Sequence, residues 1–177
     1  MSEKTKAINT LYRLNNQLNE LFNRIYQVDE GLLHKRVSPK SWNVVQVLEH
    51  LHETELLTLQ YMKYKVDQQT AFKREGFQAK LKYFIMRVLY ALSLKFKAPK
   101  ILSQPNDDFS FSEMQKKYAD LRKDYQQFIE AQDESFFQLA VCKHPVVGRI
   151  KLIKMLRFYK AHTSHHEKQI LRVLMKL

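Results

Sequence analysis

The sequence predicts an all-α protein, and three observations lead to this fold class. Apolar residues recur three and four positions apart along most of the 177-residue chain, which is the spacing of amphipathic helices. The chain contains only three Gly and four Pro, too few for an all-β protein with its frequent turns. Hydrophobic residues make up 45% of the chain, which argues against disorder. We therefore expect a bundle of four long helices plus an extra one, in a single domain spanning residues 1–177.

The first two helices are defined by their apolar residues and by the polar segment between them. Apolar positions from Leu11 to Val28 alternate three and four apart. Gly31 and the polar residues up to Pro39 are expected to end that helix. The second helix is expected to begin near Ser41, whose side chain can cap the first turn. Its apolar stripe consists of Val44, Val47, Leu48, Leu51, Leu57 and Met62.

The extra helix is predicted from Leu81 to Phe96, and it ends before Pro99. We expect its apolar stripe to pack against the bundle. An alternative is that this helix lies on an anionic membrane surface, because basic residues flank the stripe. These residues are Lys80, Lys82, Arg87, Lys95 and Lys97.

Two more helices complete the bundle. Ser112 and Gln115 resemble a capping box and are expected to open a helix that runs to Ile129. His144-Pro145 predicts a turn. The last helix is expected to extend from about Gly148 to Met175.

The basic character of the chain is concentrated in two segments. The total is 30 Lys and Arg against 18 Asp and Glu, a net charge of +12. Residues 60–100 and residues 143–177 each have a net charge of +8, residues 101–142 have −4, and residues 1–59 are neutral. A non-enzymatic basic bundle that binds nucleic acid or an anionic membrane surface is therefore an alternative to an enzyme. Nucleic acid is the less favoured partner, because no zinc-finger or RRM signature is present.

The chain start, the apolar runs and the single cysteine bear on localisation. No apolar segment follows the charged residues 1–6, so we expect no secretory signal. No apolar run approaches the roughly 20 residues of a membrane span. Cys142 cannot form an intramolecular disulfide, which favours a reducing cytoplasm and a buried thiol.

Gly31, Gly76 and Gly148 lie too far apart for a glycine-rich phosphate loop.

Histidines carry the main functional signal. His162 and His166 are four residues apart, so both project from one face of the last helix. Two imidazoles at this spacing can offer two nitrogen ligands to a transition metal. His50 lies on the apolar face of the second helix and is the candidate third ligand, whereas we expect His52 to face the solvent. The alternative is that these are core histidines with a purely structural role.

Three motifs resemble the DinB/YfiT-like superfamily. Residues 41–51, SWNVVQVLEHL, look like the opening of the second helix in that family. Residues 144–150, HPVVGRI, are similar to the segment that leads into its last helix, and residues 162–170, HTSHHEKQI, are similar to its closing motif. The motifs follow the order of the family, and the resemblance covers about residues 8–175.

The resemblance implies an up-down-down-up four-helix bundle that binds a divalent metal through His50, His162 and His166. The extra helix then belongs to the connection between the second and third helices of the bundle. His165 corresponds to a histidine that is usually not a ligand. The basic segment from Lys63 to Lys100 is longer and more charged than the common pattern. Family members are often dimers, so a homodimer is a further expectation.

A three-histidine site would be suited to catalysis. Three imidazoles leave a coordination position open, and Zn²⁺ or Ni²⁺ suits imidazole nitrogen. Two reaction classes remain open: activation of water in a hydrolase, or of a low-molecular-weight thiol in an S-transferase. Gln169, one turn beyond His166, and Glu53, three residues past His50, are candidates to orient a ligand or act as a base. The expected partner is a small molecule, either anionic or a thiol.

Overall fold

The computed structural model of the protein describes residues 1–91 and 105–176, and most of these residues are helical. The mostly helical class predicted from the sequence is thus confirmed. The α-helices in the described ranges are α1 (Glu3–Ile25), α2 (Glu30–Leu33), α3 (Val44–Asp67), α4 (Phe77–Ala91), α5 (Phe111–Glu130) and α6 (Leu152–Leu174), and a 3₁₀ helix covers Glu134–Gln138.

A short antiparallel hairpin precedes α6, where the sequence predicted only a turn. Strand β1 (Cys142–His144) pairs with β2 (Gly148–Ile150), so that Cys142 lies opposite Ile150. Gly148 has a φ of 92°, a backbone conformation that favours glycine at the end of this turn. Because the residues after the turn continue as a strand, the last helix begins at Leu152 and not near Gly148.

The caps of α3 and α5 each lie two residues from the predicted ones. Asn43 caps α3 and Ser110 caps α5, in both cases with a reciprocal hydrogen bond to the residue three positions later. Ser41, the predicted cap of α3, instead donates a hydrogen bond to the Ser38 carbonyl. Ser112 lies within α5. Both segments contain several residues that are able to cap, so composition alone did not identify the one that does.

The four long helices run in two directions. Helices α1 and α6 are parallel to each other, and α3 and α5 run the opposite way. Side-chain contacts along the helices record these directions: Gln17 with Ser164, Arg24 with Glu167, Glu49 with Lys117, Lys63 with Asp124, Lys4 with the Glu130 carbonyl, and Phe22 with Phe111.

The interior contains two apolar clusters with a polar layer between them. One cluster includes residues 7–14 of α1 and residues 121–129 of α5, and the other includes residues 18–25 of α1 and residues 44–51 of α3. Along the helices, a layer of buried polar side chains separates these two clusters. They are His50, His52, Glu55, Thr58, Arg122, His162, Thr163 and His166.

The orientation of α4 differs from the one predicted. Tyr83 and Met86 are buried, and the Tyr83 hydroxyl donates a hydrogen bond to the Lys154 carbonyl. Both faces of α4 carry large apolar side chains, so the periodicity could not decide which face packs inward. Positions 92 and 96 of the predicted helix lie outside the described residues. The other apolar residues of the predicted stripe are 42–64% exposed: Leu81, Phe84, Ile85 and Val88. The prediction that this face packs against the bundle was therefore wrong.

Candidate metal centre

Helices α3 and α6 bring three histidines together in the polar layer. His50 comes from α3, and its carbonyl accepts a hydrogen bond from the Thr54 hydroxyl one turn later. His162 and His166 come from successive turns of α6. All three side chains are buried. The structure therefore brings together the three ligands expected from the sequence.

The nitrogen positions fit a metal ion. The Nε2 atom of His162 lies 3.3 Å from Nε2 of His50 and 3.1 Å from Nε2 of His166. One nitrogen from each of the three rings lies within 4.8 Å of those of the others. Two nitrogens bound tetrahedrally to zinc at about 2.0–2.1 Å are about 3.3 Å apart. The three imidazoles thus match the donor set and spacing of a three-histidine site.

Burial keeps these imidazoles neutral. Loss of solvent lowers the pKa of His50 to about 4. Burial, and then the proximity of His50, lowers the pKa of His166 to about 3. Burial holds the pKa of His162 well below its ordinary value, and the neighbouring histidines lower it further. Neutral imidazole is the form that binds metal ions, so the cluster is suited to binding at neutral pH.

Gln169 orients one of the three rings. Its side-chain oxygen lies 2.9 Å from Nδ1 of His166 and can only accept a hydrogen bond. Nδ1 therefore carries the hydrogen, and the lone pair of Nε2 points toward the other histidines. The Nδ1 atom of His50 is buried and has no hydrogen-bond partner among the described residues.

Glu53 is not brought to the cluster by a direct contact. It lies on α3 and is half-buried, and it forms no hydrogen bond or ion pair with a described residue. Of the two candidate residues, Gln169 thus contacts a histidine of the cluster through a hydrogen bond, and Glu53 does not.

The prediction that His52 faces solvent was wrong. Its side chain is about 5% exposed, and its ring lies 5.2 Å from the ring of Tyr118. Burial lowers its pKa, while the carboxylate of Glu49 opposes that shift. Helix α5 covers this face of α3, so both faces of α3 carry buried histidines. His52 does not belong to the three-histidine cluster.

Aromatic side chains enclose the histidines, and sequence reasoning assigned them no role. The Trp42 ring lies 5.1 Å from the ring of His50. Phe158 stacks on His162 with ring centres 5.1 Å apart and planes within 17° of parallel. The spacing of four residues between Phe158 and His162 was a usable signal, because such residues share a helix face.

A buried ion pair lies in the same polar layer and was also missed. Arg122 of α5 donates two hydrogen bonds to the carboxylate of Glu55 on α3. The Tyr125 hydroxyl donates to the carbonyl of Glu55. The partners are 67 residues apart in the chain, so no local pattern could reveal the pairing.

Comparison with known proteins agrees with this geometry. The family model of the DinB superfamily matches residues 10–170. No curated protein and no solved structure matches the chain. The matched region contains all three histidines and most of the chain, and the protein therefore belongs to the DinB superfamily.

Proposed function

We propose that the protein is a metal-dependent enzyme in which His50, His162 and His166 hold a divalent ion, Zn²⁺ or Ni²⁺. The observation that carries this proposal is the convergence of three buried, neutral imidazoles at metal-ligand spacing. An ion held by three imidazoles supplies Lewis-acid chemistry that lowers the pKa of a bound water or thiol.

The surrounding residues would prepare the site for this chemistry. Gln169 holds the ring of His166 in the orientation that a ligand needs. Trp42 and Phe158 surround the imidazoles with apolar surface and limit access of water. Glu53 stays a prediction as a base, because it forms no hydrogen bond with a histidine of the cluster in the described part of the chain.

Two reaction classes follow, and a paired assay separates them. A hydrolase should cleave an activated ester without a thiol, whereas an S-transferase should join a low-molecular-weight thiol to an alkyl halide. In either case the rate should depend on added Zn²⁺ or Ni²⁺ and should be lost in His162→Ala. A rate that is independent of the metal and of His162 in both assays would contradict the enzymatic proposal.

Metal analysis of untagged protein is the direct test of the site itself. We expect about one Zn²⁺ or Ni²⁺ per chain and a higher melting temperature with metal than after treatment with a chelator. Protein that contains no metal, and that is not stabilised by added Zn²⁺ or Ni²⁺, would contradict the proposal.

The proposal also covers the order of the helices, the number of domains, the cellular compartment and the oligomeric state. The helix directions support an up-down-down-up bundle of α1, α3, α5 and α6, with α4 as the extra helix between α3 and α5. We propose that residues 1–177 form one domain. Burial of the free thiol of Cys142 is consistent with a reducing cytoplasm. A homodimer stays a prediction.

A second candidate function is attachment to an anionic membrane surface through α4. Its outer face exposes large apolar side chains such as Phe84. The helix contains Lys80, Lys82 and Arg87 but no Asp or Glu, so its charge complements acidic lipid headgroups. None of the helices in the described ranges has the length and apolar composition to cross a membrane, so α4 would lie on the surface.

Vesicle sedimentation tests this candidate. The protein should bind vesicles that contain phosphatidylglycerol and should not bind pure phosphatidylcholine. Phe84→Ser with Ile85→Ser should abolish binding, because these side chains supply the apolar contact. The matched control is Tyr12→Ser with Tyr26→Ser, which changes an exposed aromatic residue in α1 and another at its C-terminal cap, and it should bind normally. Equal binding of both double variants would contradict a role for α4.

A further inference from the structure

A cavity lies between α4 and α6, beside the histidine cluster. Its volume is about 510 Å³. Among the described residues, four basic side chains and no acidic side chain line it: Arg87 of α4, and Arg157, Lys160 and Lys168 of α6. It forms where α4 and α6, which come from the two most basic segments of the chain, pack together.

None of the four basic side chains forms a salt bridge with a residue that the structure describes. Nearby acidic residues pair with other side chains: Glu75 with Lys154, and Glu167 with Arg24. Glu3 pairs with Lys6, and the charge of Arg157 also lowers the pKa of Glu3 at longer range. A concave surface with several unpaired charges of one sign attracts and concentrates ligands of the opposite sign.

The cavity also offers a neutral hydrogen-bond donor. The Ser164 hydroxyl accepts a hydrogen bond from the side-chain amide of Gln17, so its own hydrogen is available to a ligand. Guanidinium, ammonium and hydroxyl groups in one cavity are the donors that recognise phosphate oxygens.

Two side chains separate the cavity from the histidine cluster. Phe158 lines the cavity and stacks on His162 at 5.1 Å between ring centres. His165 also lines the cavity, and its ring lies 5.2 Å from the ring of His166. An anion in the cavity would therefore lie one side chain away from the candidate metal ligands.

We propose that this cavity binds the phosphate group of a small molecule beside the metal centre. That this small molecule is the substrate of the enzyme rests on the proposed function. Binding of phosphate to the cavity can be measured without it. The four positive charges match a multiply charged group better than a single carboxylate. The size of the cavity leaves room for the rest of a small ligand.

Isothermal titration with inorganic pyrophosphate at low ionic strength tests the cavity. We expect one site per chain, with affinity that falls as salt is added. Lys160→Gln with Lys168→Gln should weaken binding at least tenfold, and Arg87→Gln should weaken it as well. The matched control is Lys116→Gln with Lys123→Gln, which removes two exposed charges from α5 and should change affinity less than twofold.

The variant His166→Ala distinguishes the cavity from the metal as the site of binding. Binding that persists in His166→Ala and is lost in the Lys160 and Lys168 variant supports the cavity. The reverse pattern would overturn the proposal, because the anion would then be bound by the metal. Absence of binding, or equal weakening by the α5 control, would also overturn it.

Two further readouts keep the outcomes separate. Metal content should be unchanged in the Lys160 and Lys168 variant. If the wild-type protein holds no metal but binds pyrophosphate through Lys160 and Lys168, the result supports phosphate binding in the cavity and contradicts the proposed metal-dependent function. Vesicles containing phosphatidylglycerol that compete with pyrophosphate for these lysines would identify a lipid headgroup as the source of the phosphate.

Discussion

Two neighbouring faces of α6 differ in charge, since one is neutral and the other is positive. One face places His162 and His166 in a buried layer, where burial keeps both rings neutral. The other face places Arg157, Lys160 and Lys168 around a cavity in which the described lining residues include no acidic side chain. The difference arises from what packs on each face, since α3 buries one and α4 leaves the other open. One helix can thus supply metal ligands and anion-binding charges without mixing them.

His165 lies at the border of these two faces. Burial lowers its pKa, and the positive charges of Arg172 and Lys168 lower it further. The basic residues of α6 therefore disfavour protonation of His165. An uncharged His165 would be favourable for metal binding, because it places no positive charge beside the candidate ligand His166.

The largest effect should come from removing the central ligand. His162→Ala should abolish stoichiometric binding of Zn²⁺ or Ni²⁺, because Nε2 of His162 lies close to both other ligands. Inductively coupled plasma mass spectrometry gives the metal content. His52→Ala is a stringent control, since it removes another buried histidine from the same layer and should leave the metal in place. Loss of metal in both variants would indicate a general effect on folding.

Removal of a charge should lower the free energy of unfolding strongly in the buried layer and weakly on the surface. Glu55→Gln leaves Arg122 buried without its charged partner and should lower the free energy of unfolding by about 3–5 kcal/mol. Glu167→Gln breaks the exposed pair with Arg24 and should cost less than about 1 kcal/mol. Denaturant unfolding measures the free energy of unfolding of both variants, and similar losses would contradict the contrast between the buried layer and the surface.

A smaller effect should follow from loss of ligand orientation. Gln169→Ala should weaken metal binding by about 10–100-fold, because Nδ1 of His166 loses its hydrogen-bond acceptor. Competition with a chromogenic chelator measures the affinity. Gln169→Glu keeps an acceptor at this position and should restore most of the loss. Failure of this rescue would mean that Gln169 acts in another way.

The smallest effect concerns His144, on the hairpin that packs against Phe158. Burial lowers the pKa of His144 to about 4, and its Nδ1 accepts backbone hydrogen bonds from Val146 and Val147. The unfolded chain binds a proton near pH 6.5, so stability should fall as the pH decreases from about 6.5 toward 4.

Replacement by asparagine isolates this contribution. Between pH 7 and pH 5 the wild-type protein should lose about 2 kcal/mol more of its free energy of unfolding than His144→Asn. Urea unfolding at the two pH values measures the difference. An equal pH dependence of the two proteins would contradict the assignment of a neutral, buried His144.

The sequence predicted the features that depend on local spacing. Helical periodicity gave the mostly helical class, and the four-residue interval placed His162 and His166 on one face. Features that depend on packing between helices were predicted less well. His52 was assigned to solvent because it lies on the opposite side of α3 from His50, and the sequence did not show that α5 covers this side. The inner face of α4 was misassigned because both of its faces are apolar. The pairing of Glu55 with Arg122 required the three-dimensional structure.

The pairing of α1 with α6 has a consequence for synthesis of the protein. The first helix packs beside the last one, and His50 meets His162 across 112 residues of sequence. A ribosome releases α6 only after α1, α3 and α5, so a nascent chain that lacks this helix has one of the three histidines and an α1 without its α6 partner. The three-histidine cluster therefore assembles only after α6 has been made, and any product truncated before His162 lacks the cluster.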